Sequence, residues 1–284
     1  MKIALAQMNS ISDKAANIKA AAAFIEQAAK VEGADWVCLP EHFDWSGGSF
    51  EDKLKAAEDV PGGPAYSMAQ ELAAKHKIWV HAGSLIERIP GERRVYNTTV
   101  VFDRSGKEVC RYRKIHLFDV TAPDGAKYHE SQTVKPGREI VTYDCEGLTV
   151  GVAICYDIRF PELFQALAAR GAELIALPAA FTLQTGKDHW EVLCRARAIE
   201  TETYFAACGQ TGAFFSNGEK RFTYGHTLVA DPWGHVVCKA SDGTGLVTTR
   251  LDRSLIKRVR GQIPVAEHKV IGRDMPPLSL VKAA

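Results

Sequence analysis

The chain predicts a layered α/β fold, with helices covering mixed β-sheets, on three observations. Short β-type runs alternate with helical segments, the order that builds parallel strands under covering helices. Two hairpin signals interrupt that alternation, at Asp103-Arg-Ser-Gly106 and Asp231-Pro-Trp-Gly234, so antiparallel strands must join the parallel ones. A length of 284 residues suits one large domain or two small ones.

Taken in order, residues 2–8 read as a strand and 13–31 as an alanine-rich helix capped by Ser12. Residues 35–39 form a second strand, stopped by Pro40; 64–76 are helical, and 78–86 return to strand. Residues 95–102 and 108–113 flank the first hairpin turn. A second α/β run follows, with strands at 148–154, 173–177 and 204–208 and helices at 161–170 and 188–202. Residues 227–230 and 235–239 flank the second turn. The two β-α-β-plus-hairpin blocks read as pseudo-repeats forming two stacked sheets. Segments 44–59, 120–130 and 212–222 read as loops that set pocket size, the last as a lid or a subunit contact. From residue 252 the periodicity fades and Pro264, Pro276 and Pro277 follow. One domain is therefore expected over 1–262, with a tail at 263–284 packing on the core or on a partner subunit.

Composition narrows the function classes. Apolar residues make up 46% and charged residues 24%, and the net charge is +1, so nothing calls for a nucleic-acid partner. No apolar run approaches the ~18 residues of a membrane span, and the first residues lack the pattern of a secretion signal. The seven cysteines (38, 110, 145, 155, 194, 208, 238) are odd in number and contain no Cys-x-x-Cys pair. That speaks against a disulfide framework or a zinc ribbon and for reduced thiols in a cytoplasm. The histidines show neither His-x-x-x-His nor His-Glu-x-x-His spacing, so no metal is expected.

In layered α/β folds reactive groups gather beyond the carboxyl ends of strands. Three such ends carry chemistry here: Glu41 after Cys38-Leu-Pro40, Lys114 after Arg111-Tyr-Arg113, and Cys155 after Gly151-Val-Ala-Ile154. Each alone has a bland reading, as a surface charge or a small core residue. Together they complete a site. A thiol needs a base or a nearby cation to act as a nucleophile. Glu41 could take its proton, while Lys114 and the backbone N–H of Tyr156 could stabilise an oxyanion. A helix starting at Pro161 would add its positive end.

These residues carry a family resemblance. LPEHF at 39–43, YRKIHLFD at 112–119 and GVAICYDIRFPEL at 151–163 resemble the three signatures of the nitrilase superfamily, the carbon–nitrogen hydrolases. Tyr128-His-Glu130-Ser with Lys135-Pro-Gly137 resembles the loop that holds the family's second glutamate. The resemblance implies a four-layer αββα sandwich, paired into homodimers or larger homo-oligomers. It implies Cys155 as nucleophile, Glu41 as general base, Lys114 as oxyanion stabiliser and Glu130 as a supporting carboxylate, with no cofactor. Residues 180–186 and HWEVLCRARAIET resemble the Nit branch. Its members imply a small amide substrate carrying a carboxylate, deaminated glutathione ahead of α-ketoglutaramate, cleaved through a Cys thioester with release of ammonia. A nitrilase, an N-carbamoyl-amino-acid hydrolase, a cysteine–histidine site or a non-catalytic binding protein are the alternatives.

Arg159 is the candidate reader of a substrate carboxylate, with an ion pair to Asp157 or Glu162 as the structural alternative. Phe181 and Thr182, beyond the strand ending at Leu177-Pro178, are candidate pocket lining together with Tyr156.

Overall fold

The computed structural model describes residues 1–122, 125 and 127–270. Its first half runs β1 (Lys2–Gln7), α1 (Lys14–Lys30), β2 (Trp36–Cys38), α2 (Phe50–Ala56), α3 (Pro64–His76), β3 (Trp79–Arg88), β4 (Val95–Phe102) and β5 (Glu108–Arg113). A small hairpin follows, β6 (Asp119–Thr121) with β7 (Lys127–His129), and then β8 (Thr142–Cys145), β9 (Leu148–Val152) and α4 (Pro161–Ala169). The second half continues with β10 (Leu174–Ala179), α5 (Leu183–Thr201), β11 (Tyr204–Gly209), β12 (Thr211–Ser216) and β13 (Glu219–Tyr224). It ends with β14 (Leu228–Ala230), β15 (Val236–Lys239), β16 (Gly245–Arg250), α6 (Arg253–Gln262) and the short α7 (Val265–His268).

Two six-stranded sheets result, in the orders β16-β1-β2-β3-β4-β5 and β15-β14-β11-β10-β9-β8. In the first, β1, β2 and β3 are parallel and β4 and β5 antiparallel. In the second, β9, β10 and β11 are parallel and β14 and β15 antiparallel. The two blocks therefore repeat one plan, and the last strand, β16, crosses back to pair with β1.

The two-residue period of β1 shows how the layers stack. Ile3 and Leu5 enter a core that also holds Val150, Val152 and Ala176 of the second sheet. Ala4 and Ala6 point the other way, into a core with Ala21 and Ile25 of α1 and Ala69 and Ala73 of α3. Alanine on both strand and helix faces lets the helices close tightly on the sheet. On the far side Phe164 and Leu167 of α4 and Trp190 and Cys194 of α5 cover the second sheet. The order is helix, sheet, sheet, helix, the four-layer αββα sandwich that the resemblance implies. Trp36 Nε1 donates to Tyr143 Oη at 2.9 Å across the sheet interface.

Several local expectations need correction. The cap of α1 is Asp13 rather than Ser12, because the Asp13 side chain accepts the Ala16 N–H at 3.0 Å. Segment 44–59 contains α2, started by a capping box between Ser49 and Asp52. Segment 212–222 is most of the hairpin β12–β13. Helix α5 begins at Leu183, five residues before the expected start at Asp188. Residues beyond 252 first form α6, whose Ile256 and Val259 are buried. Of the expected tail, residues 271–284 lie outside the described residues. No helix among the described residues is long and apolar enough to cross a membrane.

One buried charge cluster ties the first helix to the site loops. Lys14 pairs with Asp44 at 3.0 Å and with Glu58 at 2.7 Å. Glu58 also accepts the N–H groups of Ala65 and Tyr66 at the start of α3. Both acids are nearly devoid of solvent, so removing the cation would leave two uncompensated buried carboxylates. Lys14→Met is expected to lower unfolding stability in urea by about 3–5 kcal/mol. A change below about 1 kcal/mol would show the cluster behaves as an exposed pair.

Candidate active site

Both sheets send their strand ends to one cavity of about 290 Å³. Glu41 stands three residues past β2, Lys114 directly past β5, Cys155 three residues past β9, and Glu130 directly past β7. All four line the cavity, as do Tyr156, Phe181 and Thr182.

The path to Glu41 depends on a close backbone approach. At Gly83, where the β3–β4 register shifts, an added Cβ would lie 2.1 Å from the Pro40 carbonyl oxygen. Only glycine lets the Leu39-Pro40 segment pass over β3 here. Beyond it, the carboxylate of Glu41 is held on three sides. Its Oε1 accepts from Lys114 Nζ at 3.0 Å and from Asn97 Nδ2 at 2.9 Å. Its Oε2 accepts the Ala180 N–H at 2.8 Å. Gln210 Nε2 donates to the Glu41 carbonyl at 2.9 Å, tying the site's two sheets together.

Cys155 opens a 3-10 turn, Cys155–Arg159, and adopts φ 47°, a left-handed conformation uncommon for a cysteine. Asp157 holds that turn. Its carboxylate accepts the Ile154 N–H at 2.8 Å, the Tyr112 hydroxyl at 2.7 Å and the His116 N–H at 3.1 Å. His116 Nδ1 lies 2.7 Å from the same carboxylate. The bent turn aims the thiol against the Glu41 carboxylate and toward Lys114.

Lys114 is the hub. Its ammonium donates to Glu41 at 3.0 Å and to Glu130 Oε2 at 2.9 Å and Oε1 at 3.1 Å, and the residue is 2% exposed. Glu130 also accepts the Phe118 N–H at 2.7 Å, which fixes its orientation. Burial opposes the ammonium, but Glu130, then Glu41, hold its pKa well above the usual lysine range. Burial likewise opposes the Glu41 charge, yet Lys114, then His42, keep this carboxylate well below its usual range. For Cys155, burial and then the Glu41 anion push the thiol well above its ordinary value. The resting site is therefore a neutral thiol beside an ionised carboxylate, the arrangement general-base activation requires.

His42 stands beside Glu41, with Nε2 3.9 Å from Oε1, and burial lowers its pKa to about 4. It is neutral at physiological pH and carries its charge only at the low pH where Glu41 titrates. Glu41, His42 and Glu130 bring one donor atom each within 4.8 Å of one another. The ammonium of Lys114 already bridges the two carboxylates, so a dication there would meet a buried positive charge.

Arg159 falls elsewhere. It is absent from the cavity lining, and its guanidinium lies over the Phe181 ring, 5.5 Å from the centroid, with Nη2 3.2 Å from His189 Nδ1. Among the described residues neither Asp157 nor Glu162 forms an ion pair with it; Asp157 is spent on the turn. Sequence reasoning missed Asn97, the Ala180 N–H and Lys53, which also lines the cavity. Asn97 sits inside a strand and Lys53 inside a presumed loop, and neither position carries a sequence signal.

The chain is similar to known proteins along most of its length. Residues 2–261 match the family model described as Carbon-nitrogen hydrolase. The chain is 39% identical over 268 residues to a deaminated glutathione amidase from Synechocystis, covering 93% of this chain and 96% of that one. It is 37% identical to the omega-amidase NIT3 of Saccharomyces cerevisiae, covering 95% and 93%. The crystal structure of yeast Nit3, a member of branch 10 of the nitrilase superfamily, superposes with a TM-score of 0.83 at 34% identity, covering 93% of this chain and 94% of that one.

The electrostatics generate a test. Glu41→Gln removes the anion that opposes a thiolate and leaves Lys114 in place, so the Cys155 pKa should fall. The midpoint of iodoacetamide alkylation against pH is expected to move to lower pH in the variant. An unchanged or higher midpoint would show that Glu41 does not hold the thiol protonated.

Proposed function

The chain belongs to the carbon–nitrogen hydrolases and is an amidase, and from that premise we propose that it hydrolyses deaminated glutathione through a thioester on Cys155. The observation that carries the chemistry is the buried Glu41–Lys114–Glu130 cluster with the Cys155 thiol against it. The likeness to deaminated glutathione amidases supports the substrate.

The sulfur attacks the amide carbonyl as its proton passes to Glu41. Negative charge develops on the carbonyl oxygen, where the Lys114 ammonium and the Tyr156 backbone N–H receive it. The tetrahedral intermediate collapses, Glu41 gives its proton to the departing amine, and the acyl group stays on sulfur. Water then attacks the thioester carbonyl as its proton passes to the same Glu41, the C–S bond breaks to release the acid, and Glu41 returns that proton to the Cys155 sulfur. Glu130 holds Lys114 in place throughout. Phe181, Thr182 and Tyr156 shape the walls of the cavity.

In deaminated glutathione the scissile amide joins a 2-oxoglutaryl group to cysteinylglycine, so the departing amine is a dipeptide and not the ammonia expected above. In α-ketoglutaramate the acyl half is the same and the amine is ammonia. The second substrate is the alternative reading, supported by the likeness to an omega-amidase. The enzyme works in a reducing cytoplasm, a reading supported by seven free cysteines. It works as a homodimer or larger homo-oligomer, supported by the exposed Val192 and Ile199 on α5.

Release of 2-oxoglutarate from both substrates tests the proposal. Wild-type protein is expected to turn over deaminated glutathione faster, and Cys155→Ala to lose roughly 10⁴-fold or more. Faster release from α-ketoglutaramate would move the assignment to the omega-amidase, and release from neither would overturn both. Glu130→Gln is expected to lower turnover about 10²-fold by loosening Lys114; full turnover would remove it from the mechanism.

A further inference from the structure

We propose that Lys53 reads the terminal carboxylate of the substrate's acyl half and so sets the amide carbonyl over Cys155, an inference that rests on the amidase reading above. Both candidate substrates carry this carboxylate at the far end of the 2-oxoglutaryl chain. The cavity already contains two ionised glutamates at its catalytic end, which repel an anion. A carboxylate drawn into it needs a cation whose charge is not already taken.

Among the described residues, the lysines and arginines that line the cavity are Lys53, Lys114, Lys127 and Arg221, and of these Lys127 is exposed to solvent, where its charge is screened. Lys114 is held by Glu41 and Glu130. Arg221 pairs through Nη2 with Glu219 at 3.0 Å and lies over the Tyr128 ring, 4.5 Å from its centroid, although its buried Nε has no partner among the described residues. Arg159 stands outside the cavity lining. Lys53 differs from all of these. It lines the cavity, and its one side-chain hydrogen bond is a long one, 3.3 Å to Thr133 Oγ1. Among the described residues no carboxylate reaches ion-pair distance of it. An ammonium has three donors, so most of its capacity is open to a ligand.

Its position is also fixed. Helix α2 is started by the Ser49–Asp52 capping box. The preceding Gly48 donates its N–H to the Phe215 carbonyl at 2.8 Å and accepts from the Asn217 N–H at 3.1 Å. The hairpin β12–β13 on one side and the Glu130 turn on the other thus hold Lys53 between them. Burial lowers its pKa, with Glu130 pulling the other way; an arriving carboxylate would compensate that burial.

The test separates this role from a structural one. Binding of 2-oxoglutarate, the common product, is measured by calorimetry in Cys155→Ala protein with and without Lys53→Met. KM is measured with an active site intact for α-ketoglutaramate, deaminated glutathione and the uncharged pentanamide. Lys53→Met is expected to weaken 2-oxoglutarate binding and raise KM for both acidic substrates by roughly 10- to 100-fold. Hydrolysis of pentanamide should be unchanged, and Lys53→Arg should recover most of the binding. Undiminished 2-oxoglutarate binding, or an equal loss on pentanamide, would overturn the proposal. A KM effect confined to deaminated glutathione would place the contact at the glycine end and overturn it as well. Because binding is read without turnover, a chain that holds 2-oxoglutarate through Lys53 yet hydrolyses no amide would sink the amidase reading and leave this contact standing.

Discussion

The site depends on one ammonium held between two carboxylates in a nearly dry pocket. Lys114 contributes one positive charge against the two negative charges of Glu41 and Glu130. Burial and then the Glu41 anion keep the neighbouring thiol neutral, while the Lys114 ammonium keeps Glu41 ionised against its own burial, so thiol and carboxylate each rest in the form from which the proposed reaction starts. A buried cluster of this kind is costly to assemble, and losing one member costs several kcal/mol because the others stay desolvated. The surroundings offset that cost with donors: Asn97 Nδ2 and the Ala180 N–H on Glu41, and the Phe118 N–H on Glu130.

The sandwich makes this possible because it gathers groups from distant parts of the chain without mobile tethers. Glu41 and Lys114 leave β2 and β5 of one sheet, with β3 and β4 between them, and Cys155 leaves the other. The sheets are locked by the Ile3, Leu5, Val150 and Val152 core and by Gln210 reaching the Glu41 backbone. Sites built on strand ends hold their geometry more tightly than sites on free loops. Cys155 and the neighbouring cavity residue His42 both adopt left-handed backbone, and at Cys155 the Asp157 carboxylate restrains the turn from three backbone and side-chain directions.

Much of the fold was legible in the chain. Helix α3 and strands β4 and β5 have the expected bounds, because a proline start and a hairpin turn are local signals. Glu41, Lys114 and Cys155 were legible as groups at strand ends and Glu130 through the family resemblance, and all four line one cavity. What could not be read was set by tertiary contact. Arg159 lies against Phe181 and His189 rather than among the lining residues, a placement set by side-chain packing. Helix α2 is only seven residues long and has no buried residue, so its sequence shows no apolar periodicity, and Lys53 was hidden with it. The β12–β13 hairpin has polar and apolar residues facing a cavity rather than a core, which blurs the alternation.

A covalent acyl-enzyme common to both substrates is the centre of the proposed reaction. Deaminated glutathione and α-ketoglutaramate share an acyl half and differ in the amine that leaves first. If both pass through one thioester on Cys155, hydroxylamine must intercept the same species from each. The decisive measurement is the ratio of hydroxamate to free 2-oxoglutarate formed from each substrate at several hydroxylamine concentrations. The same ratio from both substrates is the predicted result. Ratios that differ with the leaving amine would mean that water and hydroxylamine attack the bound amide directly, contradicting Cys155 as the nucleophile.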